Sequence, residues 1–157
     1  MAMTELLNQL RRLDDCEILA PSGVPSVGLP LPHDVEEFYR LCGGATLYRR
    51  AFYTIEIVAP NDFVRANPVI VGEDGKDDIS YDWFVIAKAG EQYITIDLNE
   101  SRIGRCYDSF WDRHGVVGEC QVVASSFEQL LAQLIQGRGT YWYWLQDEFQ
   151  SLGDAYD

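Results

Sequence analysis

At 157 residues the chain has the length of a single domain and can close a hydrophobic core without disulfides. Hydrophobic residues make up 47% of it and aromatics 13%, which excludes the apolar-poor, charge-rich composition of disorder. The 25 acidic against 12 basic residues leave a formal charge of -13. That balance argues against nucleic acid or an anionic membrane surface as partner, because both repel it.

The same charge would steer a basic protein surface toward the chain, although it also serves as an ordinary solubility device. Cys16, Cys42, Cys106 and Cys120 are widely spaced, with no C-x-x-C pair and no histidine couplet, so free thiols are expected and no metal or thioredoxin-type motif. The first 15 residues read as an amphipathic helix rather than a leader, and no run approaches the roughly 18 apolar residues of a membrane span. The expected location is the cytoplasm.

In chain order, Thr4 caps a first helix with Leu6, Leu7, Leu10 and Leu13 on one face. Residues 20–32 hold four of the six prolines and form an extended connector. A second helix starts at Pro32, carries Asp34, Glu36 and Glu37 at its positive end, and buries Val35, Phe38, Tyr39 and Cys42. Gly43-Gly44 stops it with a left-handed cap and leads into a strand at 45–48.

A loosely alternating strand at 52–58 ends at Pro60, and a short helical piece follows near 62–66. Residues 72–82 have no apolar periodicity and carry Glu73, Asp74, Asp77, Asp78 and Asp82 around Lys76, the pattern of a solvated loop. The apolar run at 83–87 reads as a central strand. It turns at Gly90 into 93–98, and that segment turns at Asn99-Glu100-Ser101 into 102–107, an antiparallel meander. Residues 121–124 supply another strand.

Ser125 and Glu128 have capping-box spacing, and Phe127, Leu130, Leu131, Leu134 and Ile135 continue a helix. The aromatic stretch 138–157 reads as a helical extension, with a strand as the alternative. The expected fold is α+β: one domain over 1–157 with a core at 20–136, its mainly antiparallel sheet of about five to six strands flanked by helices.

No catalytic or metal centre is legible. His33 and His114 lie in no nucleophile motif, Cys106 with His114 has no supporting context, and the acidic loop lacks the ligand register of an EF-hand. No phosphate-binding glycine motif occurs either. No cofactor is therefore expected. The candidate binding residues are Asp74, Asp77, Asp78 and Asp82, with Trp83, Tyr107 and Trp111 as aromatic anchors, because charge steers a partner and aromatics hold it. Core packing is the competing reading for these aromatics, and for Phe110 and residues 141–144.

The stretch Leu31-Pro32-His33-Asp34-Val35-Glu36-Glu37-Phe38-Tyr39 ending at Gly43-Gly44, then Phe84-Val85-Ile86-Ala87, Gly90, Ile94-Thr95-Ile96-Asp97 and Ser126-Phe127-Glu128, resembles the SMI1/KNR4 family, or SUKH superfamily. The resemblance spans residues 20 to 136 piecewise. It implies an α+β fold and a non-enzymatic binding role. A bacterial member is often an immunity protein that neutralises a polymorphic toxin, frequently a nuclease, whereas fungal members are regulatory scaffolds. A general interaction module and a thiol or carboxylate hydrolase are the alternatives.

Overall fold

The computed structural model describes residues 2–157; Met1, included in the first predicted helix, lies outside them. Seven strands form one sheet in sequence order, β1-β2-β3-β4-β5-β6-β7, and every neighbouring pair is antiparallel. They are β1 Glu17–Ile18, β2 Ala45–Leu47, β3 Ile55–Ile57, β4 Trp83–Ala89, β5 Gln92–Asp97, β6 Cys106–Ser109 and β7 Val122–Ala124. The strand beyond the expected count is β1, two residues long and too short to show alternation.

The helices are α1 Met3–Arg11, α2 His33–Leu41, α3 Ala66–Ile70 and α4 Phe127–Gly137. Strand alternation explains how the two sheet faces differ. Phe84 pairs with Ile96 on the face toward the helices, where the Phe84 ring stacks on Phe63 at 5.4 Å and Phe63 meets Tyr39 of α2 at 6.1 Å. Phe38 of α2 packs edge-on against Phe127 of α4 at 5.0 Å. Helices α1, α2 and α4 thus share one core with this face.

Trp83, Thr95, Asp97 and Tyr107 face the other way, and all four are 0% exposed. Irregular chain covers them: Trp83 lies against Tyr107 at 4.3 Å, His114 at 5.6 Å and Tyr156 at 6.0 Å. A strand buried on both sides carries apolar residues, or polar ones that find a bond inside as Thr95 and Asp97 do, which explains the run at 83–87.

Several local expectations are corrected. Helix α1 begins before Thr4, at Met3, with Ala2 at the cap position and no side-chain cap bond. Helix α2 ends at Leu41 with Cys42 extended, so it has no left-handed cap, and the Gly43-Gly44 pair works instead by close approach. A β-carbon on Gly43 would lie 2.2 Å from the Ala20 carbonyl oxygen, and Gly44, at φ +114°, would put one 2.8 Å from that of Ile57, so β1 and β3 close around a glycine-only passage. The cap of α4 sits one residue later than expected: Ser126 Oγ accepts from Gln129 N at 3.1 Å, while Gln129 Oε1 accepts from Ser125 N at 2.6 Å. Asp34 adds a bond across helices, its carboxylate accepting from Glu128 N at 2.8 Å.

The helical piece near 62–66 is a 3-10 turn at Pro60–Asp62 followed by α3. The strand expected at 102–107 begins only at Cys106, because residues 101–104 form a turn. The stretch 138–157 is not a helical extension. It holds one 3-10 turn, Tyr143–Leu145, and is fixed by side chains: Tyr143 donates to the Val123 carbonyl at 2.6 Å, and Trp144 Nε1 donates to Asp108 at 2.9 Å. Consecutive bulky aromatics find partners here on several sides, which a helix stripe would not offer.

Candidate functional site

The acidic loop between α3 and β4 is exposed from Val71 to Asp78. It is nevertheless anchored. Asn67, 4% exposed, donates from Nδ2 to the Asp74 carbonyl at 3.0 Å and to Ser80 Oγ at 3.1 Å. Those donations orient the amide, so its Oδ1 must accept, and the partner at 2.6 Å is His114 Nε2. The ring therefore carries its proton on Nε2. His114 Nδ1 and Trp83 Nε1 have no partner among the described residues.

The acidic residues divide into two groups. Asp78 is structural: it accepts from Ser80 N at 3.0 Å at the start of a 3-10 turn, Ile79–Asp82, and from Tyr156 Oη at 2.7 Å. Burial opposes its charge, but the bonds from Ser80 and Tyr156 outweigh that and hold its carboxyl below the ordinary range. Asp82 is also committed, accepting from Arg65 at 3.2 Å and from Asn99 Nδ2 at 3.2 Å, with the Arg65 guanidinium 3.9 Å over the Tyr81 ring. Glu73, Asp74 and Asp77 have no side-chain bond or ion pair among the described residues, which leaves their carboxylates facing water.

Of the aromatic anchors, Trp83 and Tyr107 are fully buried and offer no contact surface; Trp83 packs on His114 and Tyr156, the residues that bond Asn67 and Asp78. Tyr107 donates to Asp97 at 2.5 Å, and Arg102 Nε donates to the same carboxylate at 2.9 Å. Burial, reinforced by Asp97, pushes the Tyr107 phenol well up. Trp111 differs at 65% exposed. Phe110, Trp142, Tyr143 and Trp144 belong to the core, whereas Tyr141 is exposed. Sequence reasoning missed Asn67, His114 and Tyr156 as supports, and local pattern offered no signal: the bonds span 47 and 78 residues.

The chemistry of the remaining groups is that of a packed interior. Cys106 is 0% exposed, donates to the Gly104 carbonyl at 3.5 Å, and is raised well above its ordinary range by burial. Burial also pushes Cys120 up to about 11. Neither is a thiolate near neutrality, so neither is a primed nucleophile. Among the described residues no cluster of three or more histidine, cysteine or acidic side chains fits a metal ion, and no helix is long and apolar enough to cross a membrane.

The family described as SMI1 / KNR4 (SUKH-1) matches residues 26–133. The matched stretch holds α2, all the strands from β2 onward and most of α4. Immunity protein YokJ of Bacillus subtilis (strain 168) is 49% identical over 160 aligned positions, spanning 100% of this chain and 97% of that protein.

Proposed function

This chain belongs to the SMI1/KNR4 family (SUKH-1), and from that premise we propose that it is a non-enzymatic immunity protein that binds and neutralises a toxin domain in the cytoplasm. The full-length similarity to a protein named for immunity carries the reading. The alignment spans all of this chain and 97% of that protein, which supports a shared scaffold over the whole domain.

The docking residues are Glu73, Asp74 and Asp77, with Asp78 and Asp82 shaping the loop and Trp83 and Tyr107 serving as buried packing behind His114 and Tyr156. Three exposed carboxylates on an anchored loop of a chain with charge -13 offer a basic surface what phosphates would offer it. A toxin that acts on nucleic acid has such a groove, so a nuclease is the partner class this surface fits. Anchoring reduces the ordering entropy that binding must overcome.

The test is a pull-down from the native organism with tagged protein, followed by expression of whatever protein is recovered. The reading expects a domain that stops growth alone and is tolerated when this chain is co-expressed. It also expects Glu73→Lys, Asp74→Lys and Asp77→Lys together to weaken the complex and flatten its salt dependence. A recovered partner that is harmless when expressed would overturn the immunity reading in favour of a general interaction module.

A further inference from the structure

One end of the sheet gathers exposed aromatic side chains. The pairings Leu47 with Ile55, Glu56 with Lys88, and Tyr93 with Ser109 bring three connections to that end: residues 48–54, the turn at Gly90-Glu91, and the segment that leaves β6 at Phe110. Phe52 is 86% exposed, Trp111 65% and Tyr53 38%. Tyr53 lies 4.8 Å from the buried Trp142, which also meets Phe110 at 5.3 Å and Trp144 at 5.3 Å, so the chain neighbours of Phe52 and Trp111 pack on one aromatic floor. The loops are tied: Tyr53 N donates to the Gly139 carbonyl at 2.9 Å and Trp111 N to Gln92 Oε1 at 3.2 Å. Grouped aromatics exposed on a rigid base mark an interaction surface.

The surrounding charge indicates what would cover them. Arg49 is neutralised by Glu17, Arg50 by Asp14 at 2.5 Å, and Lys88 faces Glu56 at 3.7 Å. Arg138 lines the groove between α1 and α4. Glu91 and Asp112, both exposed and adjoining Gln92 and Trp111, engage no ion pair among the described residues. A second copy of this chain is a poor occupant, since each copy carries a charge of -13.

We propose that this end docks an arginine-bearing segment of a basic protein, its guanidinium planes stacking on Trp111 and Phe52 while Glu91 and Asp112 accept their hydrogen bonds. Arginine suits this surface better than lysine because its planar cation stacks on aromatic faces and sheds water more readily. The inference rests on the reading of the chain as a binder of a basic partner and adds a second contact region to the acidic loop.

The test titrates the full chain with a short arginine–glycine repeat peptide at physiological salt, with lysine–glycine and glutamate–glycine peptides as controls. The Trp111 indole N–H signal is followed by NMR. Saturable movement of that signal by the arginine peptide is expected, with weaker binding of the lysine peptide and none of the glutamate peptide. The double variant Trp111→Ala, Phe52→Ser should bind about tenfold more weakly or worse. Both side chains are exposed, so the variant keeps its fold. Absence of saturable binding, or unchanged affinity in the double variant, overturns the proposal. So does loss of binding on reversing Glu73, Asp74 and Asp77 while the double variant binds normally, an outcome that leaves the acidic-loop reading intact. Sedimentation that finds a dimer abolished by the double variant would assign the surface to self-association and equally overturn it.

Discussion

His114 Nε2 and Asn67 Oδ1 lie 2.6 Å apart, and this bond joins the segment after β6 to the base of the acidic loop. His114 is 4% exposed. Burial lowers its pKa to about 4, against a smaller opposing pull from Asp78. The unfolded chain therefore takes up a proton near pH 6.5 that the folded chain refuses until about pH 4, and stability is lost as pH falls between those values. The loss between pH 7 and 5 should be about 2 kcal/mol. Urea denaturation at the two pH values checks it, and His114→Gln should flatten the difference.

The division of the acidic loop predicts unequal costs. Glu73→Gln, Asp74→Asn and Asp77→Asn should each leave unfolding free energy within about 0.5 kcal/mol of the parent. Asp78→Ala removes the acceptor for Ser80 N and Tyr156 Oη and should cost about 1–2 kcal/mol. Equal effects across the four positions would contradict this division.

Asp97, 0% exposed, holds both Tyr107 and Arg102. Asp97→Ala strands a buried phenol and a largely buried guanidinium, with an expected cost of about 3–5 kcal/mol. Tyr107→Phe removes one neutral donor and should cost only about 1–2 kcal/mol. The order of the two, read from denaturant midpoints at constant slope, is the informative result.

Gly139 sits at φ +69°, where a β-carbon would lie 2.7 Å from the Tyr53 carbonyl oxygen and 2.9 Å from Ala51 Cβ. Gly118, at φ +85°, has nothing within 4 Å of that position. Gly118→Ala should cost about 1 kcal/mol from backbone conformation alone. Gly139→Ala should cost clearly more, since the 48–54 loop must also move away. Thermal melts of the two variants separate the clash from the conformational cost.

Local periodicity was sufficient for Leu6, Leu7 and Leu10 of α1, for the stripe of α4, for the apolar strand β4 and for the meander, because each depends on residues a few positions apart; Leu13, read onto the same face, lies beyond the end of α1 and is exposed. Composition likewise established the strong negative charge, and the ordered pieces from Leu31 to Glu128 carried the family. Tertiary structure decided the roles of individual side chains. Asp77 and Asp78 are adjacent and chemically identical, yet one faces water and the other receives Tyr156 from the far end of the chain. Trp83 and Trp111 look alike as candidate anchors, yet one is sealed between Tyr107 and His114 while the other is open to solvent. Burial depends on which distant segment folds over a residue, and that long-range closure leaves no mark on the few neighbours a local pattern can read.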